Sequence, residues 1–340
     1  MIKTEKCGSY ESKDMYAVTL DNGNGLSAEV INYGAAIRSI KYKGTDIILG
    51  FDTYEGYLTN NFKLGVVIGR FANRISNAEF ELNNIKYTLP KNEGSNNCHS
   101  SDSDTALKVW QINPIDKEEP AVELTYTSPD GDDGFPGNLA IKVTYTLTKD
   151  NSFKIHYEAK TDKDTVVNMT NHAYFNLNGH TSGTVYNHKL CLNSKFYTPT
   201  PTDHIPTGEV CAVAGTPYDF TTPKKLESAI KADVEPIITF NGLDTNFCLC
   251  GRGYRKVAAL TGDISGITME VYTDQPGVQI YTTNSINARP DYKDGASYCV
   301  HGGVCLETQN FPDSVNISHF PSPILRRGEK YDTTTEYKFV

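Results

Sequence analysis

Two segments of the sequence each place one proton-exchanging side chain among apolar and aromatic neighbours. The segment TNHAYFNLNG (170–179) carries His172, and the segment CLETQNFPDS (305–314) carries Glu307. Histidine is the side chain best suited to move a proton near neutral pH. A carboxylate in a strand of buried character must be hydrogen-bonded or have a raised pKa. Each residue is therefore either a hydrogen-bonded structural group or one half of an acid–base pair.

Two arginines lie four residues apart in the apolar segment IGRFANRI (68–75). Buried arginine usually pairs with a carboxylate, but its planar fork of donors also suits substrate hydroxyl groups. The residue types leave both interpretations open for Arg70 and for Arg74.

Other catalytic motifs are missing from the sequence. DGDD (130–133) could supply the paired carboxylates of a glycosidase, but the neighbouring Pro129, Gly131 and Gly134 favour a polar turn. None of the eight histidines forms H-x-H or H-E-x-x-H, so we expect no metal site. G-x-S-x-G and the phosphate-binding G-x-x-x-x-G-K-[ST] do not occur either.

The elements that must position these residues are short strands. Alternation of period two places Val143, Tyr145 and Leu147 on one face of 142–148, and similar alternation recurs at 152–159 and 267–274. EFELNNIKYTL (79–89) predicts two strands joined by a tight Asn-Asn turn. Helical periodicity is scarce, and KKLESAIKAD (224–233) is the best candidate for a helix.

Many short strands without a βαβ rhythm predict an all-β sandwich or barrel. No shift in composition marks a linker, so we expect one domain over residues 1–340. The formal net charge of −9 argues against nucleic acid or an anionic membrane as the main partner. The sequence has no apolar stretch of membrane-spanning length, and its start is not of signal-peptide type, so we expect a cytoplasmic protein.

Taken together, the motifs resemble those of the aldose 1-epimerase (galactose mutarotase) family over nearly the whole chain. The resemblance rests on segments in one order: NYGAAIRSI (32–40), DIILGFD (46–52), IGRFANRI, SPDGDDGFPG (128–137), TNHAYFNLNG, IPTGEV (205–210), GTPYDF (215–220), GLDTNF (242–247), DQPGVQIYTTN (274–284) and CLETQNFPDSVN (305–316). It implies a large antiparallel β-sandwich and a reaction that interconverts the α and β anomers of free hexoses such as galactose and glucose. The implied partners are small free aldoses, and the implied reaction needs no cofactor and no metal.

The resemblance also implies roles for individual residues. His172 would be the general acid and Glu307 the general base. The residues implied in substrate binding are Asn73, Arg74, His99, Tyr174, Asp244 and Gln279.

The sequence departs from the family pattern at two places. The family usually has two glycines after the histidine that matches His99, and this chain has Ser100 and Ser101. Thr245 stands where a histidine is common, and we expect this difference to bear on substrate preference.

The implied chemistry needs Glu307 ionised and His172 protonated, and we expect the attraction between the two charges to favour both charged forms. Two other functions remain open. One is a carbohydrate-binding protein of the same fold, and the other is a hexose-6-phosphate epimerase, which would want additional Lys or Arg for the phosphate.

Overall fold

The structure is a computed structural model that describes residues 1–101 and 105–340. In the first half of the chain the strands are β1 (Ile2–Tyr10), β2 (Lys13–Asp21), β3 (Leu26–Ile31), β4 (Ile37–Tyr42), β5 (Thr45–Asp46), β6 (Val67–Ile68), β7 (Arg74–Ile75), β8 (Glu79–Leu82), β9 (Ile85–Thr88), β10 (Asn97–Cys98), β11 (Gln111–Ile115), β12 (Ala121–Ser128), β13 (Leu139–Leu147) and β14 (Ser152–Thr161). In the second half they are β15 (Thr165–Val166), β16 (Thr170–Asn171), β17 (Lys189–Leu192), β18 (Ser194–Tyr197), β19 (Cys211–Ala212), β20 (Lys224–Lys225), β21 (Asp244–Leu249), β22 (Arg255–Thr261), β23 (Thr268–Thr273), β24 (Gly277–Tyr281), β25 (Cys305–Gln309), β26 (Ile324–Leu325) and β27 (Tyr331–Phe339).

The strands form three larger sheets and several two-stranded ladders. The largest sheet has the order β11-β12-β13-β14-β27-β23-β22-β17-β20. A second sheet has the order β19-β18-β21-β24-β25, and the first five strands form a third. The predicted all-β sandwich is confirmed, because these sheets pack their apolar faces into a common core.

The alternation predicted from the sequence is confirmed in β13 and β14. Val143, Tyr145 and Leu147 are all buried, as are Phe153 and its alternate neighbours in β14. These side chains belong to one apolar cluster with residues of β21, β24 and β25. The large sheet is therefore the support on which the second sheet lies.

Local turn chemistry also agrees with the sequence. β8 and β9 pair as a hairpin, and Asn83 and Asn84 between them have φ of 55° and 60°. Asparagine tolerates this left-handed conformation better than most residues.

The predicted helix over 224–233 is wrong in its extent. Only Glu227–Ile230 is helical (α2), and the preceding Lys224 and Lys225 pair with β17 as an edge strand. The other helices are equally short: α1 spans Tyr54–Leu58 and α3 spans Ile237–Phe240. None of the helices in the described residues has the length and apolar character needed to cross a membrane.

Candidate active site

The second sheet supplies one wall of the site through the period-two alternation of its strands. β24 and β25 pair with Gln279 opposite Glu307 and Tyr281 opposite Cys305, and β21 places Asp244 opposite Tyr281. Side chains two residues apart point to the same face of a strand. The other face of the same strands, including Leu306 and Ile280, packs into the core.

His172 approaches this wall from a different part of the chain. It follows β16, which pairs with β6, and its main-chain N–H donates to the carbonyl of Val66 at 2.9 Å. Its own carbonyl accepts a hydrogen bond of 2.9 Å from Gly65. The main chain of His172 is therefore fixed on both sides, and the fold closes the long sequence separation from Glu307.

A third segment brings in Arg74 and His99. β7 and β10 pair with Arg74 opposite Cys98, and the N–H of His99 donates to the carbonyl of Asn73 at 3.0 Å. The second sheet, the segment of His172 and the β7–β10 segment enclose a cavity of about 650 Å³. This volume is within the usual range for small-molecule sites. The predicted site residues that line it are Asn73, Arg74, His99, His172, Tyr174, Asp244 and Glu307.

The proposed acid and base lie close together and are deeply buried. Nε2 of His172 is 3.9 Å from Oε1 of Glu307. His172 is 6% exposed and Glu307 is 2% exposed, and Oε2 of Glu307 has no hydrogen-bond partner among the described residues. Both groups face the cavity, so a bound molecule can reach both.

The protonation states differ from those expected from the sequence. Burial, followed by the positive charge of Lys63, lowers the pKa of His172 to about 4. Burial, followed by the negative charge of Asp244, raises the pKa of Glu307 to about 8. The expected mutual stabilisation of the two charged forms is not the dominant effect, because burial shifts both groups towards their neutral forms.

Arg74 and Asp244 form a second, ionised part of the cavity. Arg74 binds both oxygens of Glu93, with Nε–Oε2 of 2.9 Å and Nη2–Oε1 of 3.0 Å, and its Nη2 lies 3.3 Å from Oδ2 of Asp244. Burial opposes ionisation of Asp244. The Arg74 guanidinium and hydrogen bonds from His204 and Gln279 outweigh it and hold the pKa of the carboxyl well below its ordinary value. The cavity therefore has one charged end and one neutral end.

His99 presents a donor to the cavity. Its Nδ1 accepts the main-chain N–H of Asn73 at 3.1 Å, so in the neutral ring Nε2 carries the hydrogen. Desolvation, together with the charges of His172 and Arg74, lowers the pKa of His99 well below its ordinary value. A neutral imidazole with a fixed N–H is suited to hold a hydroxyl oxygen.

The loop after His99 is left-handed although it lacks the usual glycines. His99, Ser100 and Ser101 have φ of 53°, 58° and 62°, a region in which a residue with a Cβ is strained. Oγ of Ser100 offsets part of this cost, since it accepts from the N–H of Phe71 at 2.8 Å and lies 3.2 Å from the Phe71 carbonyl. The two substitutions therefore leave His99 at the cavity.

Two predicted substrate-contacting residues hold other site residues in place. The hydroxyl of Tyr174 donates to the carbonyl of Phe62 at 2.8 Å, and its ring stacks on His172 with centroids 4.9 Å apart. Gln279 does not line the cavity. Its Nε2 donates to Oδ1 of Asp244 at 2.6 Å, so it supports that carboxylate from behind.

Arg70 lies away from the cavity and belongs to the framework. It is 2% exposed and donates to the carbonyls of Ser128, Pro129, Pro136 and Gly137 at 2.8–2.9 Å, and to hydroxyl groups of Ser128 and Thr165. Its direct partners are thus carbonyl and hydroxyl oxygens instead of the expected carboxylate. The DGDD segment forms the predicted polar turn, and Asp132 accepts a hydrogen bond from Ser128.

The departure at Thr245 does not reach the cavity. Thr245 follows Asp244 in β21, so its side chain points to the opposite face of the sheet. There it meets the hydroxyl of Tyr218, a residue of the core. The expected effect of Thr245 on substrate preference finds no support in this geometry.

Sequence reasoning missed two side chains at the charged end of the cavity. Glu93 holds Arg74, and Nδ1 of His204 lies 3.5 Å from Oδ2 of Asp244 while its ring stacks on Phe240 with centroids 4.2 Å apart. Both residues come from loops between strands and have no periodic signal in the sequence. In the sequence, His204 is marked only by its position directly before the IPTGEV motif.

The neutral end of the cavity also offers a set of possible metal ligands. Among the described residues, donor atoms of His99, His172 and Glu307 lie within 4.8 Å of one another. Tetrahedral zinc with bonds of 2.0–2.1 Å requires ligand atoms about 3.4 Å apart, which is shorter than the 3.9 Å between His172 and Glu307. The spacing suits a bound molecule between the groups better than a single ion.

Comparison with known proteins agrees with this geometry. The model of the aldose 1-epimerase family matches residues 16–338. Galactose mutarotase of Bos taurus is 38% identical over 320 residues, which cover 92% of this chain and 91% of that protein. Aldose 1-epimerase of Escherichia coli (strain K12) is 36% identical over 332 residues, which cover 95% of this chain and 94% of that protein. The crystal structure of galactose 1-epimerase from Lactobacillus acidophilus NCFM superposes with a TM-score of 0.91 and 29% identity, covering 100% of this chain and 98% of that one. The chain belongs to the aldose 1-epimerase family.

Proposed function

We propose that this protein interconverts the α and β anomers of free aldoses such as galactose and glucose, with His172 as the general acid and Glu307 as the general base. The observation that carries the proposal is the pair itself. An imidazole and a carboxyl group face one cavity with 3.9 Å between Nε2 and Oε1, and their pKa values are shifted in opposite directions. Such shifts cluster at catalytic sites.

The reaction requires two coupled proton transfers. Glu307 takes the proton of the C1 hydroxyl while Nε2 of His172 gives a proton to the ring oxygen, the C1–O5 bond breaks, and C1 becomes an aldehyde. Rotation about C1–C2 presents the other face of the carbonyl group, and the two transfers then run backwards. Protons and electrons balance over the cycle, and a positioned acid or base adds about 10²–10⁴-fold to the rate.

The pair holds one exchangeable proton in either of two arrangements. The protein surroundings of the pair favour the neutral arrangement, with the proton on Glu307. A sugar hydroxyl that donates to Glu307 stabilises the carboxylate, because a hydrogen bond to the charged form lowers the pKa. Binding of the sugar therefore moves the proton toward His172, where ring opening needs it.

The charged end of the cavity supplies the contacts that hold the sugar. Arg74 and Asp244 are fixed by Glu93 and Gln279, so their remaining donor and acceptor sites are preorganised for ring hydroxyls. His99 adds an N–H donor, and Asn73 adds a side chain whose Oδ1 accepts from the N–H of Arg74.

The two alternative functions fit the cavity less well. A protein that only binds a sugar has no need for an imidazole and a carboxyl group 3.9 Å apart with pKa values shifted in opposite directions. A phosphorylated hexose would bring its phosphate into a cavity that is lined by the carboxylates of Glu93 and Asp244. Arg74 is already engaged by both of them, and Lys63 is the other lysine or arginine among the lining residues.

Polarimetry of freshly dissolved α-D-galactose, α-D-glucose and a hexose 6-phosphate tests the proposal. We expect the protein to accelerate equilibration of the two free sugars far more than that of the phosphate, and EDTA to leave the rate unchanged. Acceleration of the phosphate alone would favour the phosphate epimerase. Binding of free sugars without any acceleration would favour the binding protein, and activity lost to EDTA and restored by a divalent ion would contradict the metal-free mechanism.

A further inference from the structure

We propose that Cys305 is a positioning residue for the acid: its sulfur accepts the Nδ1–H of His172, so that Nε2 is the nitrogen that exchanges the proton. This inference rests on the proposed function, since it assigns a role to Cys305 in the same proton transfer. Cys305 begins the CLETQNFPDS segment, but the family resemblance implies no role for it.

The position of Cys305 follows from the register of the second sheet. Sγ of Cys305 lies 3.4 Å from Nδ1 of His172, and Cys305 is fully buried. Cys305 precedes Glu307 by two residues in β25, so both side chains point to the same face. One strand therefore carries the base and the partner of the acid, and this fixes the spacing between them.

The surrounding rings hold the imidazole in one orientation. The His172 ring stacks on Tyr174 with an interplanar angle of 20°, and it meets the edges of Tyr281 and His99 at centroid distances of 6.2 and 5.5 Å. With the plane of the ring fixed, a flip by 180° is the main alternative, and it would put Cδ2 against the sulfur and Cε1 towards Glu307. The contact of Nδ1 with Cys305 thus selects the ring orientation in which Nε2 faces Glu307.

A thiol suits this position because it stays neutral throughout the cycle. Burial, with the negative charges of Glu307 and Asp244, raises the pKa of Cys305 well above its ordinary value. Sulfur is a weak acceptor, so it holds Nδ1–H both when Nε2 carries a proton and when it does not. A carboxylate in its place would stabilise the imidazolium and hinder release of the proton.

The other titratable groups around the ring do not provide this selection. Besides the two tyrosines and Cys305, the groups that act on His172 or face it are Lys63, Arg74, His99, Asp244 and Glu307. Among these, Glu307 faces Nε2, and Lys63, Arg74 and Asp244 act through their charge. The main chain of His172 raises the pKa of its own ring, against the larger effect of burial.

The test compares Cys305→Ala, Cys305→Ser and the control Cys248→Ala, a cysteine of β21 outside the cavity. In the sugar-free wild type, ¹⁵N NMR of His172 should show Nδ1 protonated and Nε2 unprotonated. Cys305→Ser should keep this tautomer, because a hydroxyl is also an acceptor, and Cys305→Ala should give a mixture of tautomers.

The same variants should differ in turnover. Cys305→Ala should lower kcat about tenfold, on the scale seen when the hydrogen-bond partner of a metal-ligating histidine is removed. KM should change by less than about twofold, because the residues that contact the sugar are unchanged. The limb of the kcat profile that reports loss of the imidazolium should move to lower pH, because the charged ring loses an acceptor. Cys305→Ser and Cys248→Ala should both stay near the wild type.

Several outcomes would overturn the inference. An unprotonated Nδ1 in the wild type would do so directly, and this measurement decides the matter even if Cys305→Ala does not fold. An unchanged tautomer and unchanged kcat in folded Cys305→Ala would also contradict it. Failure of the proposed function is distinguishable, since a wild type that does not anomerise sugars still reports its His172 tautomer by NMR.

Discussion

Replacing Glu307 by Gln should make the protein more stable at neutral pH while it removes the base. The buried carboxyl group has a raised pKa of about 8, against an ordinary value of 4.5. Below pH 4.5 the folded and unfolded chains both hold the proton, and the stability associated with this group is fully present. Between pH 4.5 and about 8 only the folded chain holds it, so stability falls as the pH rises.

The magnitude follows from the size of the shift. Each pH unit between the two pKa values costs about 1.4 kcal/mol. From pH 4.5 to pH 7 the wild type should therefore lose about 3 kcal/mol through Glu307, and the neutral amide of Glu307→Gln should lose none. The shape of the side chain is almost unchanged, so packing contributes equally at both pH values.

Equilibrium urea unfolding of wild type and Glu307→Gln, at pH 5 and at pH 7, measures this difference. We expect the variant to gain about 3 kcal/mol relative to the wild type between the two pH values. Other ionisable groups are common to both proteins, so most of their titration cancels. Parallel stability curves would show that Glu307 is ionised in the folded, sugar-free protein and would refute the argument that burial dominates its protonation.

Two further predictions concern the framework of the site. Arg74→Lys should raise KM at least tenfold, because the fork that orders Asp244 is lost. Arg70→Lys should instead lower the midpoint of thermal unfolding and leave KM near the wild type. Steady-state kinetics and thermal unfolding separate the two variants, and equal changes in KM would contradict the assignment. Ser101→Gly should increase stability by about 0.5–1 kcal/mol by relieving a left-handed φ, whereas Ser100→Gly should not, because its hydroxyl group binds the main chain of Phe71. Urea unfolding checks this pair, and equal gains from both would show that the hydroxyl contacts contribute nothing.

The strands and the candidate acid–base pair could be proposed from the sequence, but their geometry could not. Alternation in β13 and β14 follows from local side-chain types, and motif resemblance pointed to His172 and Glu307. Period-two patterning does not show which sheets face each other, so it could not predict that His172 and Glu307 lie 3.9 Å apart. The directions of their pKa shifts differ from the expectation, because a sequence does not show how deeply a charge is buried.

The site residues that lie in loops could not be predicted from the sequence either. Glu93 and His204 lie in segments without periodicity, and nothing in their neighbours indicates that they meet Arg74 and Asp244. Short strands at the edge of a sheet are also hard to predict. The helix predicted over 224–233 is only one turn long, because Lys224 and Lys225 pair with the large sheet instead.

The most direct test of the catalytic assignment is the kcat of folded Glu307→Gln, measured by NMR exchange between the two anomers of galactose. The account predicts a fall of about 10²-fold or more, on the scale of general-base catalysis, with sugar binding retained because an amide still hydrogen-bonds a hydroxyl group. His172→Asn should behave alike, and the double variant should be little worse than either single one, since the two residues act as a unit. A Glu307→Gln protein that keeps most of its kcat would contradict the assignment of Glu307 as the base.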